Sequence, residues 1–402
     1  MNIIIKPLTV CLTVLFLTIV LSTSSLHAAS QYALSARVGQ QVTAAFESYE
    51  QGEIEKTLGI LTKIKARSDF DKAYINRFQG NLYWEKGDEK RALASLKMAV
   101  DIKALAETEQ RQSERMLADL YLNQKQVENA IPLYKALIKK QPSEALYKHL
   151  GLAYYQQKSW SNLVDATSNA IKLSPVFNQS IHVLQLSALY ALKDHSKASK
   201  TLVKLTEHDA KNKRWWMQLA STYQLMKQDK KALATYEQAY QLGFIKSSSE
   251  IKRLANLRYS LGAPYQAALL LASAINDKKV PANAQHFQQL AQFWQTAREY
   301  EQAEKYWGKS ADLSGNGQHY LIQAQLLQLL GKPDKMITVL RSIKSDNEML
   351  LGKVRLTQIQ ALFTLKKYQE AKKIAHQLVN NPTNKEKAAR WIKILDSQTT
   401  KV

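Results

Sequence analysis

The chain has 402 residues, with 56 Lys and Arg against 34 Asp and Glu, a formal charge of +22, and a single cysteine. One cysteine excludes a disulfide framework, and its place at position 11, inside an apolar leader, leaves no thiol nucleophile in the body of the chain. Eight prolines and 13 glycines form no Pro- or Ser-rich linker, and a field this positive favours acidic partners such as an acidic protein segment, anionic lipid head groups or sugar phosphates.

Residues 1–29 read as an export signal. Lys6 is its one charge, an apolar run extends from Leu8 to Leu21, and small residues allow cleavage after Ala28 or Ala29. The run is also long enough to serve as an uncleaved anchor, which is the one route to membrane association. Cys11 follows Val10 within the apolar core, against lipid attachment. Export places the protein in the periplasm and argues against nucleic acid as a partner, despite the charge.

Residues 30–380 read as successive helical pairs. The first spans 30–67 with Gly52 in its turn, and the second spans 71–104 with its turn at Lys86 to Asp88. The third, 108–141, stops before Pro142, and the fourth, 143–174, before Pro175. The fifth, 177–209, is irregular; the sixth, 214–242, is the clearest; four more follow to about Asn380. Residues 381–402 supply a capping helix, with Trp391 and Ile394 on its packing face, and a tail.

The sixth unit, RWWMQLASTYQLMKQDKKALATYEQAYQL, shows why pairs form. Trp216, Leu219, Ala220 and Tyr223 recur at helical spacing, and so do Ala232, Tyr236 and Ala239. The small residues Ala220 and Ala232 let two helices approach closely, while Trp216 and Tyr236 fill the space beside them. Trp215 is left for a groove edge or loop. This pattern resembles the tetratricopeptide repeat. Pairs of small residues twelve apart recur at Gly80 and Ala92, Ala118 and Ala130, Ala255 and Ala267, and Ala291 and Ala303. Looser copies are Ala45 with Thr57, Gly151 with Leu163, Ser187 with Ala198 (one residue short), Ala324 with Met336, and Ile359 with Ala371. The first anchors lie 33 to 38 residues apart, close to the roughly 34 of this repeat class. The implied fold is all-α, a right-handed superhelical solenoid of about ten helix-turn-helix repeats with a C-terminal cap.

No Gly-flanked serine elbow, no paired carboxylates with a histidine and no HxxxH spacing occur, so neither an enzyme nor a metal or cofactor site is expected. Ser314 to Gly317 lacks the lysine and preceding strand of a phosphate loop and reads as a turn. Function is expected on a concave surface. In tetratricopeptide proteins this groove is lined by side chains three before, one after and four after the first small anchor. By that resemblance the groove here carries Arg77, Arg115, Lys148, Met217 and Lys252 in the first set. The second set is Asn81, Asp119, Leu152, Ser221, Asn256 and Gln292, and the third Tyr49, Trp84, Tyr155, Gln224, Tyr259 and Gln295. Cations, amides and aromatic faces suit a peptide with acidic groups. Arg77 with Asn81, and Lys252 with Asn256, resemble part of a clamp for a C-terminal carboxylate.

A narrower resemblance rests on VTAAFESYEQGEIEKTLGIL, FDKAYINRFQGNLYWEKGDEKRALASLKMAVD and RWWMQLASTYQLMKQDKKALATYEQAYQLGF. These segments and their order are similar to exported repeat proteins encoded with TonB, ExbB and ExbD energy-transduction components of Gram-negative bacteria. The resemblance implies a periplasmic adaptor in nutrient or iron uptake. The other reading is a scaffold for envelope polysaccharide synthesis or export, holding an anionic glycan. Arg258, standing where the motif has an aromatic, departs from the pattern.

Overall fold

The computed structural model describes residues 32–381 and 383–399. The export segment and Cys11 lie outside them. Among the described residues the chain is all-helical, with twenty-one helices and no strand. It divides into two compact units, Met1–His208 and Asp209–Val402.

The first unit holds five pairs: α1 (Ala36–Glu50) with α2 (Ile54–Lys63), α3 (Asp69–Glu85) with α4 (Glu89–Ile102), α5 (Glu107–Asn123) with α6 (Val127–Lys140), α7 (Glu144–Gln156) with α8 (Trp160–Leu173), and α9 (Gln179–Ala191) with α10 (His195–His208). The second holds five more: α11 (Lys213–Leu225) with α12 (Asp229–Gln241), α13 (Ser248–Ser260) with α14 (Pro264–Asn276), α15 (Ala284–Thr296) with α16 (Tyr300–Ser314), α17 (Gly317–Leu329) with α18 (Pro333–Arg341), and α19 (Glu348–Thr364) with α20 (Tyr368–Val379). A last helix, α21 (Lys385–Thr399), packs on α20. Within each unit every helix packs on the next, and first helices also touch first helices, as α5 does α7 and α17 does α19. Each unit is thus an all-α succession of packed helix pairs.

Local chemistry starts and stops each pair. Eight first helices begin at a Ser or Asn whose side chain accepts a hydrogen bond from the first-turn backbone: Ser68, Ser143, Asn178, Asn212, Ser247, Asn283, Asn316 and Asn347. Each first helix then ends on one residue with positive φ: Gly52, Gly87, Lys125, Lys158, Lys193, Lys227, Gly262, Arg298, Gly331 or Lys366. The following amide reaches back five residues, as Gln126 N–H does to Tyr121 O (2.8 Å) and Gln228 N–H to Tyr223 O (2.9 Å), which closes a Schellman turn.

This left-handed residue always stands seven places after the first anchor and five before the second, and it corrects the fifth pair. Lys193 and Ala198 fix the first anchor at Leu186, 4% exposed, whereas Ser187 is exposed. The pair is therefore in register, with Leu where the other pairs, apart from Ile359 in the tenth, carry a small side chain. Ala220 and Ala232 are both fully buried. Tyr236 is fully buried too, yet Trp215 (3% exposed) is the buried indole of its helix, while Trp216 is half-buried and donates from Nε1 to Ala210 O (2.9 Å). On α21 the packing face is Ala388, Trp391, Ile392 and Leu395; Ile394 is 43% exposed, because it sits a third of a helical turn off that stripe.

Candidate interaction surface on the first helices

Side chains one repeat apart meet along the first helices, so much of the expected groove chemistry is spent between repeats. In the first unit Arg77 donates to Glu109 Oε1 (2.9 Å) and Gln112 Oε1 (3.0 Å), bridging α3 to α5. Asp119 Oδ1 accepts from Tyr134 Oη (2.6 Å) and from His149 Nδ1–H (2.9 Å), while Arg115 Nε lies 3.9 Å from its other oxygen. The carboxylate and the burial of Tyr134 together push the phenol far above its ordinary pKa, with burial the larger cause. Tyr49 donates to Glu85 Oε2 (3.0 Å). Asn81 is half-buried, with Oδ1 unpartnered among the described residues; Trp84 packs on the core, and Leu152 does too. Lys148 is half-buried, and Tyr155, 43% exposed, stands edge-on to Trp160.

In the second unit the same positions converge more openly. Gln224, Asp229, Ser249, Lys252, Arg253, Asn256, Leu257 and Ser260 line a cleft of about 570 Å³ between α11, α12 and α13. Lys252 Nζ donates to His286 Nε2 (3.1 Å), and His286 Nδ1–H donates to Pro281 O (2.7 Å). Asn256 accepts from Gln289, and Tyr259 stacks on Phe293 (4.7 Å) with its hydroxyl 3.2 Å from Thr296 Oγ1. Met217 packs on the core, Ser221 is half-buried, and Gln292 is exposed.

Several groups that position this cleft carry no repeat-level signal. Arg253 donates to Tyr236 Oη (3.2 Å), which in turn donates to Gln224 Oε1 (3.3 Å). Arg258 forms a two-pronged pair with Glu237 (2.7 Å each) and donates to Gln266 O (3.1 Å), so a cation fills the aromatic position of the motif by bracing α13 to α12 and α14. Glu250 closes a capping box with Ser247 and accepts from Lys213 Nζ (2.6 Å), joining α11 to α13. Burial opposes its ionisation, but the hydrogen bonds from Lys213 and from the Ser247 and Lys246 amides prevail and hold its pKa at about 2. The spacing of twelve between Gln224 and Tyr236 repeats the anchor spacing, which is the one signal that could have exposed this contact.

The helical pair that supplies Gln224 and Tyr236 also carries the family signature. Residues 214–242 match the tetratricopeptide repeat family. The tetratricopeptide match covers α11 and α12; the other nine pairs share their turn and anchor geometry. No curated protein matches the chain significantly in sequence. Among solved structures, a tetratricopeptide repeat protein from Parabacteroides merdae is 14% identical over 64% of this chain and 98% of its own, with a TM-score of 0.36. The C-terminal part of a repeat-containing protein from Cytophaga hutchinsonii is 15% identical over 68% and 96%, with a TM-score of 0.39. MamA from Desulfovibrio magneticus is 20% identical over 44% and 96%, with a TM-score of 0.37.

Proposed function

We propose that this chain is a periplasmic adaptor that holds a protein partner of a TonB-type energy-transduction system on the first helices of its second unit. The observation that supports this most directly is the α11–α13 cleft, where Lys252, Arg253, Gln224 and Asn256 face one open space. Two cations within one cleft attract an acidic segment, and the amides beside them hydrogen-bond its main chain. The net charge of +22 steers such a partner toward the protein. The export reading of residues 1–29 supports the location, and the resemblance of three long segments to TonB-associated repeat proteins supports the system. The role is one of binding, with no bond made or broken.

The test is in cells: the tagged chain is crosslinked and probed for TonB, ExbB or ExbD components. Recovery of one of them, lost when Lys252→Glu and Arg253→Glu are combined, is the expected result. Recovery of none, or recovery indifferent to the double substitution, contradicts the proposal.

A further inference from the structure

The loop that joins the fourth pair of the first unit to the fifth is held from both sides. Glu144, in the first turn of α7, grips its two ends: Asn178 Nδ2 donates to Oε1 (2.5 Å), and Ser174 Oγ lies 2.7 Å from Oε2. Phe177, within the loop, stacks on His182 of α9 (4.2 Å between ring centroids, 19° between planes) and on His208 of α10 (4.3 Å, 27°). Two near-parallel rings this close cannot share one face, so the imidazoles sandwich the phenyl ring and cover both its faces. Their nitrogens are thereby held on opposite sides of Phe177 and cannot converge on one metal ion.

Beside this stack opens a cavity of about 350 Å³, walled by Ile171, Pro175, Val176 and Phe177, with His182 and Lys204 as its titratable groups. Its volume falls within the roughly 300–1,000 Å³ usual for small-molecule sites, and its lining contains no carboxylate. The remaining polar liners, Ser174 and Asn178, are the two residues bound to Glu144, so the walls are set by the loop clamp. His182 is 4% exposed and stands four residues before Leu186, a core position rather than one of the groove positions. Its Nδ1 meets the Asn178 carbonyl oxygen at 3.0 Å; a carbonyl accepts, so the ring proton sits on Nδ1 and Nε2 carries a lone pair. Nε2 has no hydrogen-bond partner among the described residues, yet it is not one of the sealed atoms, and it opens on the cavity. Burial is the largest cause that holds His182 below the ordinary histidine pKa, and with the neighbouring Lys204 and His208 it outweighs the carbonyl bond. Nε2 is therefore an acceptor at neutral pH. Lys204, exposed on α10, joins none of the ion pairs among the described residues.

We infer that this cavity binds a small organic acid bearing a hydroxyl or N–H on an apolar body, the donor meeting His182 Nε2, the carboxylate Lys204, and the body Ile171, Val176 and the edge of Phe177. A buried lone pair without a donor is costly, and a ligand proton relieves that cost. An inorganic anion presents oxygen lone pairs to Nε2 and is repelled there, while a bare hydrocarbon answers neither Nε2 nor Lys204. The covered faces of Phe177 leave its electropositive edge as the part a ligand meets, and that edge suits the π face of an aromatic body. The site lies outside the groove positions of the first helices, and the inference stands apart from the adaptor role.

The test is calorimetric titration of the full chain with para-hydroxyphenylacetate, with its methyl ether, which lacks the donor, and with its amide, which lacks the charge. The expected result is that the acid binds and that the ether and the amide each bind about tenfold more weakly or worse. His182→Phe, which keeps an aromatic ring on Phe177, is expected to erase the preference for the phenol over the ether. Lys204→Gln, at an exposed position, is expected to erase the preference for the acid over the amide. In histidine-labelled protein the acid moves the nitrogen signal of the unprotonated Nε2 of His182. Preferences that survive both substitutions overturn the inference. Failure of the acid to bind overturns it as well, and if the peptide Gly-Gly-Gly-Tyr binds in its place the cavity is a socket for a chain end. Each of these results leaves the adaptor role standing, because that role is tested at Lys252 and Arg253.

Discussion

A left-handed residue closes the first helix of every pair, and at six of the ten turns that residue is Lys or Arg rather than Gly. A side chain there crowds the following carbonyl, at a cost that Gly avoids. What favours a cation at these positions is the cluster of unpaired carbonyls and the negative dipole end of the helix it terminates. Lys227→Gly is therefore expected to raise stability by about 1 kcal/mol, and Gly262→Ala to lower it by a similar amount, both measured by denaturant unfolding. A destabilised Lys227→Gly would show that the lysine makes a contact worth more than the strain. The same substitution pattern explains what sequence reading could and could not find. Lysine-rich turns are visible as turns, but a lysine conceals the positive φ that a glycine advertises, and so the fixed offset from turn to anchor, which places Leu186 rather than Ser187, stays hidden. Glu250 gives a second prediction at this scale. Its folded pKa of about 2 lies below the ordinary carboxylate value of 4.5, so its contribution is complete above pH 4.5 and is lost as pH falls toward 2. Glu250→Gln is expected to flatten the acid limb of stability over that window and to cost about 1 kcal/mol at neutral pH, after discounting for partial exposure. An acid limb identical to the parent's would exclude the role.

Helix pairs meet at small residues, but the tightness of the meeting differs from pair to pair. A Cβ added to Gly80 would lie 2.6 Å from Leu96 Cγ and 3.2 Å from the Leu96 amide nitrogen. One added to Gly151 would meet Leu163 Cδ1 at 3.3 Å, the movable end of a side chain. Gly80→Ala is thus expected to destabilise the first unit by about 1 to 3 kcal/mol, since backbone must shift. Gly151→Ala is expected to be neutral or to stabilise by up to about 1 kcal/mol through helix propensity. Equal effects in unfolding experiments would mean that helix approach is not set by these residues. The anchors were legible because size and spacing are one-dimensional properties of a chain. Trp216 does pack against the core beside Ala220 and Tyr236, but the deeper burial of Trp215 and the exposure of Ile394 were missed for a different reason. Adjacent apolar residues compete for one stripe, and which of them wins depends on the neighbouring element rather than on the period. Arg258 shows the converse: a departure from the motif is compensated by Glu237 and the Gln266 carbonyl, partners that no repeat template contains.

At the scale of the molecule, the two units use their first helices differently. In the first unit the cations are largely spent on carboxylates, Arg77 on Glu109 and Arg115 near Asp119. The second unit keeps Lys252 and Arg253 on an open cleft and continues into the uncharged, glutamine-rich α15 and α17. The side-chain hydrogen bonds between repeats could not be read from groove positions alone, because each joins residues 30 to 37 apart whose meeting depends on the stacking itself. On the proposed adaptor role, the second unit is the surface for a partner. The most direct test places a photo-crosslinking amino acid, one at a time, at Ser221, Asn256 and Gln292, and at the exposed second-helix positions Tyr240 and Leu269. Crosslinks to one and the same polypeptide from the three first-helix positions, and none from Tyr240 or Leu269, are the predicted result. Crosslinks from the second-helix positions alone would contradict the account.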